Sequence, residues 1–384
     1  MKKIFTVTSS RSEFGILKNI ILKLSALKKI NHKLIVTGTH LEKKFGSTID
    51  EIYKLKIKNI IKIQIKMRET SSVNSSIIAS NLIIRFNDLF KKEKPDAIIL
   101  FGDRFEILSI ANVCFLHKIP IIHIGGGETT EGSSDESIRH AVSKLSSFHF
   151  VTHQTHKNRL QQLGENKNRI FIIGSPGIEN IKKTKILSKK IIEKKFNFLF
   201  FKKNFVVNFY AITNKKNVDK QNILQLLKAL EKFKDVRIIF TLPAFDIGSD
   251  VIIDEIKKFV KKNKNCVFFK SLGSQNYLSI LKYSDLIIGN SSSGLIEAPI
   301  VGIKVINIGE RQKGRIRPEE VININCEKSI IEKSINRALK IKIKFKNIYP
   351  NIKSSQKFAN ILKKLKIKKA LTKKFNDLER LDEK

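Results

Sequence analysis

The sequence predicts an α/β protein made of two doubly wound parallel sheets, and three observations carry that prediction. Short runs of Ile, Val, Leu and Phe alternate with longer stretches whose apolar residues fall at helical spacing, the pattern of parallel strands covered by helices on both faces. The alternation runs twice, on either side of a Lys-rich stretch near residues 181–203 that is poor in turn residues. Small and polar residues gather where the strands end, which is where ligands collect in such sheets. At 384 residues and 41% hydrophobic, the chain is long and apolar enough for two cores.

Each element follows from local pattern. Residues 4–7 form a first strand and 16–24 a helix with apolar residues at helical spacing. Residues 33–36 are a strand, 77–90 a long helix, and 97–101 a strand ending at Gly102-Asp103-Arg104. A helix follows through Phe115, then a strand at 119–124, a helix at 137–146 and a strand at 148–151. A helix at 156–163 and a strand at 170–173 lead to Gly174-Ser175-Pro176-Gly177, so residues 1–180 make one Rossmann-like domain. A second, residues 181–345, follows a helical connector. Its strands are 206–209, 237–240, 266–268, 286–288 and 305–308, and its helices 218–233, 252–262, 277–283 and 328–338. Residues 346–384 form a third segment: an amphipathic helix through Lys364 after Tyr349-Pro350, then a Lys-rich tail expected to be mobile.

Composition narrows the function. Net charge is +39, from 74 Lys+Arg against 35 Asp+Glu, which by itself favours an anionic partner. The basic residues are mostly Lys scattered among Ile and Asn, Trp is absent, and no stretch interleaves exposed aromatics with Arg as single-strand binding requires. A lysine-rich compositional bias accounts for the charge as well as a groove does, and no nucleic-acid partner is expected. Cys114, Cys266 and Cys326 are far apart and form no CxxC pair, so they read as free thiols of a reducing compartment with no zinc site. No apolar run is long enough to span a bilayer, and the N-terminus enters a strand without a signal peptide's apolar core. No membrane partner and a cytoplasmic location are expected.

The most informative stretch is Gly289-Asn290-Ser291-Ser292-Ser293-Gly294, followed by Glu297 and by Gly309-Glu310-Arg311-Gln312-Lys313-Gly314-Arg315. Asp285-Leu286-Ile287-Ile288 precedes it as a buried strand, and Leu295, Ile296, Ala298 and Pro299 begin a helix. Strand, small polar turn and helix N-terminus together suit a phosphate. The serines add hydroxyls, and Arg311, Lys313 and Arg315 add the cations a diphosphate needs. Glu297, on the first helical turn, is placed to accept ribose hydroxyls. The plainer reading is a capped helix beside a solvated basic loop.

All eight histidines fall at or before His156, which confines proton chemistry mainly to the first domain. There the strand ends carry Arg11, Ser12 and Glu13; Thr37-Gly38-Thr39-His40; Asp103 and Arg104; Gly125-Gly126-Gly127-Glu128; and Asp135-Glu136-Ser137-Ile138-Arg139-His140. Taken singly, each has a structural reading: a turn, a helix cap, an interior imidazole. Their convergence on one sheet edge makes a site, with arginines suited to phosphate and Asp103, Glu128 and Asp135 suited to acid–base work.

As an ordered set, Arg11, Thr37-Gly38-Thr39-His40-Leu41, Gly102-Asp103-Arg104, Gly126-Gly127-Glu128, Asp135 with Ile138-Arg139-His140, and Gly174-Ser175-Pro176-Gly177 resemble the hydrolysing UDP-N-acetylglucosamine 2-epimerases. Asp246 with Gly248-Ser249, the serine loop and the Gly309–Arg315 segment continue the resemblance to about Val321. It implies a GT-B-like fold, two Rossmann-like domains facing a central cleft, and a homo-oligomer. It also implies cleavage of UDP-N-acetylglucosamine to UDP and N-acetylmannosamine, by elimination to a 2-acetamidoglucal and then hydration, for nonulosonic (sialic-type) acid synthesis. Ser291, Ser292, Glu297, Arg311, Arg104 and Arg11 would hold UDP, and Asp103 and Asp135 would be the acid–base carboxylates near the sugar, joined by Glu128 on the reading of its own chemistry. His140, Arg139, Tyr210 and Asp246 would contact the sugar-bearing substrate. No nicotinamide is implied, since no hydride leaves the sugar, and no metal, since arginines serve the diphosphate.

The chain departs from the family pattern at Gly125, where relatives carry His or Glu, at Tyr210, where His is usual, and at Ala244, where Asn is usual. The glycine-rich segment usual after Tyr349-Pro350 is missing too. These departures keep open the same chemistry on UDP-N,N′-diacetylbacillosamine, leading to legionaminic acid. A GT-B glycosyltransferase and a non-catalytic UDP-binding relative are the readings from other classes.

Overall fold

The computed structural model describes residues 1–42, 48–66, 72–131, 135–212, 218–243, 249–367 and 370–378. The chain forms two compact units: unit 1 is Met1–Glu128, Asp135–Asn180 and Tyr349–Lys384, and unit 2 is Thr129–Ser134 and Ile181–Ile348.

Unit 1 opens with β1 (Lys2–Thr8), α1 (Arg11–Ser25), β2 (Ile30–Val36), α2 (Ile49–Tyr53), β3 (Ile60–Lys62) and α3 (Ser72–Lys92). It continues through β4 (Ala97–Phe101), α4 (Phe105–Leu116), β5 (Ile121–Ile124), α5 (Asp135–Leu145), β6 (Phe148–Val151), α6 (Gln154–Gln162), β7 (Ile170–Ile172) and α7 (Pro176–Lys183), of which Pro176–Asn180 belong to unit 1. The strands lie in the order β3-β2-β1-β4-β5-β6-β7, and every pairing is parallel. The sheet therefore reverses its winding between β1 and β4, in register Ile4 opposite Ala97. β4 reads as an unbroken apolar run, and β1 and β5 as largely apolar ones interrupted by Thr6 and His123, because both faces are covered: Ile4, Phe5, Ile98, Ile99 and Ile122 are fully enclosed.

Unit 2 contains α8 (Lys189–Phe196), β8 (Lys203–Asn208), α9 (Val218–Leu230), β9 (Val236–Thr241), α10 (Ser249–Lys262), β10 (Cys266–Phe269) and α11 (Ser274–Lys282). β11 (Leu286–Gly289), α12 (Glu297–Val301), β12 (Lys304–Ile308), β13 (Ile322–Ile324) and α13 (Lys328–Lys340) complete it. Its order, β10-β9-β8-β11-β12-β13, repeats the same plan with the reversal between β8 and β11. Alternate residues of one strand serve two cores: Phe205 and Val207 pack on one face with Phe240 and Ile288, while Val206 packs on the other with Ile239 and Ile287.

Two strands escape sequence reading, β3 and β13. Each has three residues and lies at the edge of its sheet, too short for any periodicity and with a typical edge strand's small burial.

The last segment does not stand apart. α14 (Ser354–Lys364) belongs to unit 1. Its Phe358 packs tilted against Phe150 at 4.4 Å between ring centroids, and Ser355 donates to the buried Glu179 through its amide and its hydroxyl, each at 2.7 Å. Nor is the described tail, residues 370–378, loose as expected. Lys373 Nζ donates to Glu165 Oε1 at 2.7 Å and to the carbonyls of Lys144 and Ser146 at 2.8 Å. Asn376 N donates to Gly164 O at 3.0 Å, and the Lys144 ammonium sits 4.8 Å from the Phe375 ring centre. Specific partners for one lysine override the solvated appearance of a Lys-rich run.

Candidate functional site

In each doubly wound unit the natural ligand crevice lies at the strand ends beside the reversal of strand order. In unit 2 that point is flanked by Phe209 and Tyr210 leaving β8 and by Asn290 to Ser293 leaving β11. The Asn290 side chain brackets Tyr210: Tyr210 N donates to Asn290 Oδ1 and Asn290 Nδ2 donates to Tyr210 O, both at 2.8 Å. The Asn290 carbonyl accepts from Arg311 Nη1 at 3.2 Å and Gln312 Nε2 at 3.1 Å. The Arg311 guanidinium lies 5.2 Å from the centre of the Tyr210 ring. Gly289 makes this crossing possible. Its φ is +144°, and a Cβ there would collide with the Asn208 carbonyl oxygen.

The serine loop is tied down by side chains rather than by a long helix. A 3₁₀ turn spans Ser292–Gly294, capped by Ser291 Oγ accepting from Ser293 N at 3.2 Å. α12 starts only at Glu297 and ends at Val301. The helix expected from Leu295 onward is thus two residues late and very short, because Pro299 and Gly302 leave it little room. The Tyr277 hydroxyl lies 2.5 Å from Ser293 Oγ and donates to Asn208 Oδ1 at 3.3 Å. Burial, reinforced by Glu297, pushes Tyr277 well above the usual phenol range. Burial likewise raises Glu297, opposed by its own amide, Ser293 and Arg315. Its Oε2 is enclosed and has no hydrogen-bond partner. Asp219, on the first turn of α9, accepts from Ile212 N at 2.9 Å; burial raises it while Arg311 pulls the other way.

Unit 1 carries a denser charged cluster. Arg139, on α5, is 1% exposed. It donates to Asp103 Oδ2 at the end of β4, to Glu136 Oε2 at 2.9 Å and to the Glu128 carbonyl at 3.0 Å. His140 Nε2 lies 3.0 Å from Glu136 Oε1, and its Nδ1 is enclosed without a hydrogen-bond partner. The buried His123 donates from Nε2 to Gly102 O at 2.8 Å and meets Ser143 Oγ at 3.0 Å through Nδ1. Burial lowers it to about 3, so it stays neutral and fastens the turn that presents Asp103. Gly127, at φ +73°, passes against the His156 carbonyl where a Cβ would collide. The glycine run thus has a packing reason.

Beside it, Arg104 pairs with the enclosed Glu106, with Nη2 to Oε1 at 3.0 Å. Glu13, on the first turn of α1, is also enclosed and accepts from Ser9 N at 2.7 Å and Ser9 Oγ at 2.9 Å. Burial pushes Glu13 up to about 7 against the pull of Arg104 and Ser9, with Glu106 adding to the rise.

The structure separates other residues that the sequence grouped. Arg11 pairs with Glu51 of α2. Thr37 Oγ1 donates to Ile63 O at 2.8 Å, and Thr39 donates to Ser9 O through its amide at 2.9 Å and its hydroxyl at 3.0 Å. His40 is enclosed between Thr8 and Thr48, at 3.0 and 2.7 Å. That motif is a structural turn. Asp135 is the first residue of α5. Asp246, Ala244 and Gly248 lie outside the described residues. Among the described residues no His, Cys, Asp and Glu cluster fits a metal ion, and no helix is long and apolar enough to cross a membrane.

The model of the family described as UDP-N-acetylglucosamine 2-epimerase matches residues 22–363. The chain belongs to the UDP-N-acetylglucosamine 2-epimerase family. Over 324 residues it is 39% identical to a Campylobacter jejuni protein named GDP/UDP-N,N'-diacetylbacillosamine 2-epimerase (hydrolyzing), covering 84% of each chain. It is 40% identical to the Escherichia coli polysialic acid biosynthesis protein P7 over 338 residues, 88% of this chain and 86% of that one. Among solved structures, UDP-GlcNAc 2-epimerase from Neisseria meningitidis bound to UDP-GlcNAc superimposes with a TM-score of 0.81 at 21% identity, covering 94% of this chain and 100% of that one. The fold class is accordingly the GT-B-like pair of doubly wound α/β units of this epimerase family.

Sequence reasoning set aside several residues of these clusters. Glu106 and Tyr277 are not among the sequence candidates, and Glu136 stands there only as part of the Asp135–His140 run, with no role of its own. The spacing of Glu136, Arg139 and His140 at i, i+3 and i+4 was the available signal, since those positions share one helix face.

Proposed function

We propose that the chain is a hydrolysing UDP-sugar 2-epimerase that releases UDP and the 2-epimerised free sugar. The observation that carries the reading is the convergence of Asp103, Glu136 and the Glu128 carbonyl on the single enclosed guanidinium of Arg139. Such an arrangement fixes carboxylates where proton transfer needs them. The C2 proton of the sugar has no adjacent carbonyl to acidify it, so departure of the leaving group has to lead. The bond from the anomeric carbon to the diphosphate oxygen breaks with its electron pair going to UDP. A carboxylate then removes the C2 proton, leaving a 2-acetamidoglucal. Water adds across the double bond, oxygen to C1 and a proton to C2 from the opposite face. Asp103, Asp135 and Glu128 are the acid–base candidates, and Arg139 holds Asp103 in place.

Ser291, Ser292, Glu297 and Arg311, with Arg104 and Arg11, are proposed to hold UDP. The enclosed, partnerless Oε2 of Glu297 supports this, because a ribose hydroxyl is the donor it lacks. Cations on the diphosphate stabilise the charge developing there. The proposed substrate is UDP-N-acetylglucosamine, giving N-acetylmannosamine for sialic-type acid synthesis. The likeness to the Campylobacter jejuni protein favours UDP-N,N'-diacetylbacillosamine as the second reading.

A proton NMR time course in deuterated water, with each nucleotide sugar in a separate tube, tests both. Release of UDP with a free 2-epimer deuterated at C2 is the expected result, and the faster tube names the substrate. Asp103→Asn should abolish turnover with UDP affinity retained. Near-normal turnover of that variant would overturn the acid–base assignment.

A further inference from the structure

Arg139 and Arg104 of unit 1 are held in the opposite way to Arg311 of unit 2. Arg139 and Arg104 are fixed by carboxylates, Asp103 and Glu136 for the first and Glu106 for the second. Direct ion pairs orient a guanidinium well, but they also cancel the charge an anion would feel. Arg311 is fixed by neutral partners. Its Nη1 donates to a carbonyl, that of Asn290, and its guanidinium lies against the ring of Tyr210. Among the described residues it makes no ion pair; Asp219 influences it from a distance while spending an oxygen on the Ile212 amide.

The contacts close on themselves. The Asn290 side chain grips the backbone of Tyr210 on both its amide and its carbonyl, and the Asn290 carbonyl accepts from Arg311. The Tyr210 ring then returns to the Arg311 guanidinium. This closed circuit joins the ends of β8 and β11, the two strands at the reversal of unit 2. A guanidinium 5.2 Å from a ring centre is within the range of a cation–π contact, which orients the cation without neutralising it.

We infer that Tyr210 is a positioning residue for Arg311, its aromatic ring fixing the guanidinium at the strand ends of unit 2 while leaving its positive charge for a diphosphate. The inference rests on the proposed reading that Arg311 binds UDP. It assigns the work at position 210 to a ring face rather than to a proton donor, so the chemistry expected there is binding, not proton transfer.

Titration calorimetry with UDP tests it on the full chain, using wild type, Tyr210→Phe, Tyr210→Leu, Arg311→Ala and the Tyr210→Leu/Arg311→Ala double variant. Tyr210→Phe keeps the ring and should bind UDP within about twofold of wild type. Tyr210→Leu should bind about threefold to tenfold more weakly, the loss of one cation–π contact. Arg311→Ala should lose more, about tenfold or beyond, and adding Tyr210→Leu to it should weaken binding no further. Thermal melting of each variant separates loss of fold from loss of the contact, and Tyr210→Phe remains informative should Leu fail to fold.

Three results would overturn the inference while leaving the functional reading standing: an unchanged affinity in Tyr210→Leu, fully additive losses in the double variant, or an equal loss in Tyr210→Phe, which would move the role to the hydroxyl. A wild-type chain that does not bind UDP would overturn the functional reading and this inference with it.

Discussion

Replacing Glu13 by Gln should make the protein's stability less sensitive to pH, with a sign opposite to that of most carboxylates. Glu13 is 5% exposed, and burial raises it from 4.5 to about 7. Below pH 4.5 the carboxyl is protonated in both folded and unfolded chains and its contribution to stability is complete. As pH rises from there the unfolded chain releases the proton first, so unfolding becomes progressively easier until the folded group titrates near 7. At about 1.4 kcal/mol per pH unit, the gap between the two values is worth about 3 kcal/mol. Glutamine keeps an oxygen to accept from the Ser9 amide and does not titrate. Urea unfolding followed by circular dichroism, on wild type and Glu13→Gln between about pH 4 and about pH 8, measures the difference directly. The variant should gain about 3 kcal/mol on wild type across that range. A constant difference would refute the reasoning and would mean that Arg104 and Ser9 stabilise the ionised form as much as burial disfavours it.

Three further outcomes are expected. Arg139→Met should lose about 3–5 kcal/mol of unfolding free energy, because Asp103 and Glu136 would be left facing each other without their cation. Arg139→Lys should recover only part of this, since one ammonium replaces a planar fork; denaturant midpoints decide. Gly289→Ala should cost more than about 4 kcal/mol or prevent soluble expression, since both its φ and the Asn208 carbonyl oppose a side chain. Lys373→Met should destabilise unit 1 at neutral pH. Burial opposes ionisation of Glu165, but His149 and Lys373 hold it at about 2. Its contribution is therefore present above 4.5 and lost as pH falls toward 2, so variant and wild type should converge in acid melts.

The strand–helix alternation was legible because the central strands are buried on both faces and so carry largely apolar runs, broken at few positions such as Thr6, His123 and His149. The polar strand ends were legible as well, because turns there need small residues, as at Gly102 and Gly289, whereas the strand order that makes them reversal points was not. What could not be read was partnership across sequence. Arg11 looks like a phosphate ligand until Glu51, forty residues on, is folded against it. Lys373 is one lysine among many until the buried Glu165 selects it. The Thr37-Gly38-Thr39-His40 motif looked like a site edge and is a fastening between β1 and β2, because its hydroxyls and imidazole meet carbonyls and hydroxyls rather than open space.

Charge alone misleads in the same way. A net charge of +39 says nothing about which cation an anion would meet, since Arg104, Arg139 and Arg11 are each already paired with a carboxylate. An anion approaching those residues competes with a carboxylate in place, whereas Arg311 presents its charge against a carbonyl and a ring. Unit 2 has no histidine to move protons, whereas unit 1 gathers Glu136, Arg139 and His140 beside Asp103. Strong attraction for a diphosphate and readily shifted protons require opposite surroundings, uncompensated cation in one case and balanced ion pairs in the other. In the proposed function each of the chain's two sheets supplies one of these at its own reversal point. Losses from Arg311→Ala should accordingly fall on UDP affinity and those from Asp103→Asn on turnover, and a variant of either residue that moved both equally would contradict this division.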